Sequence, residues 1–477
     1  MWNILQTSKI VPKLIALPFI LIILALGARS SLDSSTPNKS FYTFNNSNIH
    51  SEIANNTMFS ILYSVYLMKK EKFYKYGDIK YEDAIENVKL LNGFESKSKD
   101  FSRFQKSTFR KKKNVVLIIL ESFGYEYSGY LGGTDTTPNL DKLTKESLYF
   151  TNLYATGTRT AWGVSSTLTG LYPLPSRAYV KANKSLSDFY TLASTMKENS
   201  YETTFLYSGD ADFDNMRGFL LANGFNNVYG KEDFDSDLTK YTWGYCDEDL
   251  YDKALGLIEN SKDKPLFLTL LTMSSHEPFD YPKGKVEPFK DAKLEGFANS
   301  IKYGDYAIGK FIKNLKDRNL LKDTVIAFVA DHNPKAYGTF DVPIDKYKIV
   351  ADEFKDGGQE YSKIASQIDF APTILDIAGI DAIIPTMGSS VLQNERNSAI
   401  LLARKKNFAY LTENGLVIYK PKKNTKMYDY SLNEIAKDEK IIKDGLSYIY
   451  SSKYLYDKGL YKKEKKIPYG INNKYTK

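Results

Sequence analysis

At 477 residues and 42% hydrophobic side chains, the chain is long enough for one large domain with accessory segments, since single hydrophobic cores stop growing near ~250–300 residues. Its one cysteine, Cys246, excludes an intramolecular disulfide and any cysteine-based metal cluster. The formal charge of +8 is carried by Lys spread along the chain with no recognisable nucleic-acid module, so attraction to anionic lipid headgroups is its more economical use.

In chain order, the first feature is the uncharged run Leu14 to Ala28, bounded by Lys13 and Arg29 and containing Pro18. Its fifteen residues are fewer than the ~20 needed to span a hydrocarbon core, though Lys13 can snorkel and Ile10 to Pro12 can extend the apolar length. The run reads as an uncleaved membrane anchor over residues 1–29. A cleavable signal peptide, with Ala25-Leu-Gly27 as its small-residue site, is the other reading. Either one sends the following domain outside the cytoplasm. Residues 30–112 read as a polar linker with helices. Within it, Asn55 to Lys70 carries Met58, Ile61, Leu62, Val65, Tyr66 and Met68 at helical spacing, suiting a helix packed on the domain or lying along a membrane surface. The basic end, Arg110-Lys-Lys-Lys113, reads as a solvated segment.

Two runs then resemble central strands of a parallel sheet, too short for buried helices and rich in Val and Ile: Asn114 to Leu120 and Thr324 to Ala330. The first runs into Glu121 and the second into Asp331 and His332. Ligands gather at the carboxyl ends of such strands, so these three side chains can meet there as ligands of one divalent cation. Between them lies Ala155 to Thr167, a hydroxyl-rich turn around Gly157 followed by a helix-compatible run. A hydroxyl at a helix start faces backbone N–H groups and a dipole that favour an anion, and a metal on the same oxygen would make it a strong nucleophile. Beyond Gly379, short alternating segments such as Asn407 to Tyr419 read as an antiparallel extension, and the Lys- and Tyr-rich tail from about Ser452 as a surface helix with a frayed end.

These residues resemble the alkaline phosphatase and sulfatase superfamily, and within it the lipoteichoic acid synthase branch of membrane-anchored phosphoglycerol transferases. The matching segments are Asn114 to Gly124, Thr136 to Asn139, Gly157 to Thr160, Gly209 to Gly218, Ser275 to Phe279, Ala330 to Asn333 and Ser366 to Leu375. The resemblance implies an α/β fold: a sulfatase-like domain over 113–400 with a central, mostly parallel sheet flanked by helices, a small antiparallel C-terminal extension over 401–477, and an N-terminal membrane helix. It implies Glu121, Asp331 and His332 as metal ligands and Thr160 as nucleophile and fourth ligand, with Thr158 as the rival. It also implies that His276 hydrogen-bonds the phosphoryl group or protonates the leaving oxygen and that Arg217 contacts the phosphoglycerol headgroup; Asp210 and Trp243 are further candidates, for binding the glycerol hydroxyls or shaping the pocket. Ser208 stands where relatives can carry another residue, which leaves headgroup preference open. The sulfatase signature Cys/Ser-x-Pro-x-Arg is absent from the Gly157 turn, which favours phosphoryl over sulfate ester chemistry.

The activity implied is a metal-dependent transfer of glycerophosphate from phosphatidylglycerol, through a phospho-threonine, to an envelope glycan or polymer at a bacterial inner membrane, with the catalytic domain extracytoplasmic. Oxygen ligands with a single His favour Mn²⁺, with Mg²⁺ and Zn²⁺ as alternatives. The competing readings are a phosphoethanolamine transferase and a non-enzymatic envelope module of the same fold.

Overall fold

Asn114–Leu120, Leu266–Leu271 and Thr324–Ala330 form adjacent parallel strands because all three are apolar on both faces, and almost every residue in them is buried. Each Ile or Leu so buried contributes roughly 1.5–3 kcal/mol. The computed structural model describes residues 10–29, 38, 40, 43, 57–70, 73–96, 98–109, 111–174, 177–261, 264–290, 296–334, 340–354, 358–393 and 398–462. His50 and the expected frayed end after residue 462 lie outside them.

The central sheet has eight strands in the spatial order Gln359–Tyr361, Ser147–Phe150, Ala351–Phe354, Thr324–Ala330, Asn114–Leu120, Leu266–Leu271, Glu202–Tyr207, Asn227–Tyr229. Ala351–Phe354 alone runs antiparallel to its neighbours. The mostly parallel sheet expected from the sequence is therefore present. Its register brings two strand ends level: Leu120 pairs with Ala330, so Glu121 and Asp331 leave the sheet side by side.

Much of the segment ahead of the first core strand is built into the domain. Arg103–Gln105 pairs antiparallel with Ala382–Ile384. The helix Tyr81–Leu91 packs on the helix Glu439–Lys458, where Asn87 donates to Asp444 and Ser447. That last helix starts well before Ser452 and is no surface helix: Leu446, Tyr448, Ile449 and Leu455 are buried. Asp438 caps its amino end by accepting from the N–H groups of Lys440 and Ile441. Five antiparallel strands, Ile400–Arg404 through Glu434–Ile435, precede it in sequential order. Alternate residues serve two cores: Ile400, Leu402, Leu411 and Ile418 pack with Tyr154 and Tyr347, while Leu401, Phe408, Tyr410 and Val417 join the main core.

At the amino end, Ile10–Arg29 is helical with Pro18 inside it, and Leu14, Ile15, Leu17 and Phe19 to Leu24 are exposed. Among the described residues, no helix is long and apolar enough to cross a membrane. The expected membrane helix is thus not seen as a span among the described residues.

Candidate active site

The matched register delivers Glu121 and Asp331 together at the carboxyl edge of the sheet, and the Asp331 N–H donates to the Leu120 carbonyl at 3.0 Å. His332 follows, and one ligand atom from each of Glu121, Asp331 and His332 lies within 4.8 Å of the others, all three residues being buried. The loop after the neighbouring strand braces the first carboxylate: Thr272 Oγ1 accepts from the Glu121 N–H at 2.9 Å, and Ser275 donates to the Glu121 carbonyl at 2.6 Å.

Thr160 is the first residue of the helix Thr160–Thr169. Its hydroxyl donates to Glu121 Oε2 at 3.1 Å and lies 3.4 Å from His332 Nε2. Thr158 makes no such contact with the cluster among the described hydrogen bonds. The helix sits tightly on the strand end, because a Cβ on Gly163 would come within 2.3 Å of the Asp331 carbonyl oxygen. Gln367 clamps the same junction. Its amide donates to the Ala330 and Asp331 carbonyls at 2.8 and 2.7 Å, and its oxygen accepts from the Thr156 N–H at 3.0 Å.

Sequence reasoning gives no role to Gln367 or to Ser122. Ser122 holds a left-handed backbone at φ 61°, which costs a non-glycine residue energy and tends to occur at functional sites. In return its N–H donates to Asp331 Oδ1 at 2.8 Å and its hydroxyl to Glu121 Oε1 at 2.8 Å. The signal is present in the sequence, since Ser122 and Gln367 both lie in motifs that carry the resemblance, but spacing alone does not tell a brace from a bystander.

The remaining donor pattern is that of a cation site. Asp331 Oδ1 accepts two N–H groups, from Ser122 and His332, whereas Oδ2 is buried and has no hydrogen-bond partner among the described residues. An orphaned buried carboxylate oxygen calls for a partner, which a cation, a proton or a water can supply. His332 Nδ1 donates to the Asn333 carbonyl at 3.0 Å, which fixes the tautomer and turns the Nε2 lone pair toward the carboxylates. Two carboxylates, one imidazole nitrogen and a hydroxyl fit a divalent cation of the hard-to-borderline class.

The electrostatics point the same way. Burial, reinforced by the Glu121 charge, pushes the Asp331 carboxyl up to about 7. Burial alone would also raise Glu121, but the charges of His332 and His276 and the Ser122 hydrogen bond hold it below its ordinary value. For His332 burial works against the charged form, and Asp331 and Glu121 outweigh it and raise the imidazole.

The four substrate-binding candidates are arranged differently. His276 Nδ1 donates to the Glu277 carbonyl at 2.9 Å, and its ring meets that of Trp243 at 4.8 Å between centroids. Trp243 Nε1 donates to the same carbonyl at 2.6 Å. Arg217 is held by Asp212 at 3.1 Å, by the Val228 carbonyl at 2.8 Å and by Glu232. Asp210 pairs with Lys231 at 3.2 Å. None of these bonds reaches the Glu121, Asp331 and His332 cluster. Between the two groups stands Tyr207, at the carboxyl end of its strand; burial raises its phenol, and the charges of Glu121, Asp210 and Asp331 add to that rise.

The fold and this edge-of-sheet cluster match known proteins. Residues 113–380, more than half of the chain, match the sulfatase family model, and the chain belongs to that family. A structure described as a protein in the alkaline phosphatase superfamily, from Vibrio parahaemolyticus, is 33% identical, covers 82% of this chain and 99% of its own, and superposes with a TM-score of 0.78. Within the family the chain is lipoteichoic acid synthase-like. It is 26% identical to lipoteichoic acid synthase 2 of Bacillus subtilis (strain 168) over 326 residues, 60% of this chain and 48% of that protein. The chain spans about half the length of the curated relatives it matches. The lipoteichoic acid synthase LtaP of Listeria monocytogenes shares the fold, with a TM-score of 0.66 at 23% identity over 79% of this chain and 98% of its own.

Proposed function

We propose that the protein is a phosphoglycerol transferase that takes glycerophosphate from phosphatidylglycerol and passes it to an envelope glycan or polymer. The observation that carries this reading is the Thr160 hydroxyl, set at a helix start in contact with Glu121 and His332 and beside the unsatisfied Asp331 oxygen. In the first step the Thr160 oxygen forms a bond to phosphorus and the bond from phosphorus to the diacylglycerol oxygen breaks. The acceptor hydroxyl then displaces Thr160 and leaves with the glycerophosphate. The helix start favours the negative charge gathering on the phosphoryl oxygens. Glu121, Asp331, His332 and Thr160 would hold one divalent cation, which supplies positive charge that lowers the hydroxyl's pKa and offsets phosphoryl charge. Oxygen-rich donors favour Mn²⁺ over Zn²⁺ for that role.

In this reading His276 protonates the departing oxygen or binds the phosphoryl group, Arg217 grips the headgroup, and Asp210 and Trp243 shape the pocket. Location at a bacterial inner membrane, with the domain outside the cytoplasm, is part of the proposal. It is supported by the exposed apolar side chains of Ile10–Arg29 and by the family resemblance. The test supplies purified protein and Mn²⁺ with fluorescent phosphatidylglycerol and phosphatidylethanolamine side by side and follows diacylglycerol release. Preference for phosphatidylglycerol supports the proposal. Exclusive use of phosphatidylethanolamine would replace it with phosphoethanolamine transfer, and inertness toward both lipids in the metal-loaded protein would favour a non-enzymatic envelope module.

A further inference from the structure

The helix Thr57–Lys70 is inside out. Ser60, Tyr63, Ser64 and Leu67, spaced as one helical face, are the better covered side chains, and the helix packs beside the turn Asn183–Ser185. Leu67 is 1% exposed and is the one large aliphatic on that face. The Ser60 hydroxyl is buried with no hydrogen-bond partner among the described residues. On the outer face Ile61 is 55% exposed, Leu62 62%, Val65 45% and Met68 67%. A helix that folds against a domain in water normally does the reverse, and apolar residues gathered on an outer face mark a surface that something covers.

Charge and position indicate what covers it. The helix contains no acidic residue and ends in Lys69 and Lys70, and the chain continues as Glu71 and Lys72, so this end carries a net positive charge. Basic residues bordering an apolar helical face are suited to anionic headgroups. The same amino-terminal arm carries the other exposed apolar helix, Ile10–Arg29, so the two apolar surfaces belong to one stretch of chain. On its inner side the helix abuts the region of Lys181, which pairs with Asp214 in the segment that holds Arg217. That segment is tied to the arm a second time, since Ser40 Oγ accepts from the Gly218 N–H at 2.8 Å.

We infer that the outer face of Thr57–Lys70 lies in the interfacial plane of an anionic lipid bilayer and holds the Arg217 segment at headgroup level. Ile61, Leu62, Val65 and Met68 enter the boundary between headgroups and acyl chains, to a depth of about 5–10 Å. The purpose given to this surface rests on the phospholipid reading above, whereas its contact with lipid can be read without any turnover.

The test uses the full chain with Cys246→Ser, which removes the one buried thiol, and a nitroxide placed at Leu62→Cys, Met68→Cys or Asn414→Cys. The protein is reconstituted in vesicles of phosphatidylglycerol and phosphatidylcholine in equal parts. Labels at 62 and 68 are expected to be relaxed by oxygen and protected from a water-soluble nickel complex, while the label at 414, in an exposed hairpin, is open to the nickel complex. Equal nickel access at all three positions would overturn the inference, and so would shielding of 62 and 68 from both agents, which would mark a protein partner instead. A second arm combines Leu62→Glu and Met68→Glu. Turnover of vesicle phosphatidylglycerol should fall by about tenfold or more, while cleavage of a water-soluble glycerophosphoryl ester is unchanged. Equal loss on both substrates would overturn the link to headgroup access. If the unaltered protein cleaves neither substrate, the transferase reading fails and the label accessibilities still decide the docking.

Discussion

The Glu121, Asp331 and His332 cluster and the segment Asp210 to Arg217 are both rich in charge, yet they are opposites in charge balance. In the cluster, a buried carboxylate oxygen lacks a partner and two acids crowd one imidazole. In the segment, opposite charges answer one another: Arg217 with Asp212 and Glu232, Lys231 with Asp210, Lys181 with Asp214. The first arrangement carries an excess of acid that a divalent cation would balance. In the second each charge already has an opposite partner, so a headgroup that engaged Arg217 would displace part of an existing ion pair.

The sharpest way to break this contrast is to remove the nucleophile. Thr160→Ala should cut diacylglycerol release by roughly 10⁴-fold or more, as loss of a covalent nucleophile does elsewhere, while Thr158→Ala keeps most of the rate. Intact-mass spectrometry should find a glycerophosphoryl adduct on the Thr158→Ala protein and none on Thr160→Ala. A normal rate in the Thr160 variant would end the covalent reading.

The next largest effect concerns the orphaned oxygen. If Asp331 Oδ2 awaits a cation, adding Mn²⁺ at about 100 times its Kd should stabilise the protein by about 2.7 kcal/mol, read as a rise in Tm. Asp331→Asn should abolish that rise. An equal rise in both proteins would show that the metal binds elsewhere.

Arg217 tests the other half of the comparison. Arg217→Ala should raise the lipid concentration for half-maximal rate by roughly 10- to 100-fold, the equivalent of about 1.5–3 kcal/mol for a charged hydrogen bond. Asp212→Asn, which loosens the resident pair and leaves the guanidinium, should change it far less. If the two variants behave alike, the segment is structural.

The smallest effect is in pH. Asp331 and His332 both have raised values in the fold, so each holds its proton more tightly folded than unfolded. Stability linked to Asp331 is fully present only below its unfolded value of 3.8, and that linked to His332 below 6.5; each is lost as pH rises through the folded value, near 7 for Asp331. Glu121, held low, works the other way, its contribution falling away only under more acidic conditions. Metal-free protein should therefore show a falling Tm from about pH 6 to 8. With Mn²⁺ the trend should flatten or reverse, because cation and protons compete for the same atoms.

The strands bearing Glu121 and Asp331 are legible in the sequence because apolar runs ending in carboxylates need only a period and a length to be read. The mostly parallel sheet comes from the same runs. What spacing cannot reveal is the bracing: the left-handed Ser122, the Gln367 clamp and the pairing of Leu120 with Ala330 depend on contacts between segments far apart in the chain. The helix Glu439–Lys458 reads as superficial in sequence because its Tyr-rich face is polar by composition. Tyr rings bury well when the hydroxyl finds a partner, as Tyr450 does by donating to the Gly77 carbonyl and Tyr456 by accepting from the Lys184 N–H.

Gly163 separates what this protein can vary from what it cannot. With backbone against backbone at that point, the helix start and the strand end behave as one machined part, and the gap between hydroxyl and ligands is set by a single missing methyl group. In a library saturated at every position and selected for a new headgroup, residues 210–217 should accumulate changes while position 163 admits none. Diversity in donor lipid would then arise around a fixed reaction gauge, and comparison of the surviving variants at these two places would show it directly.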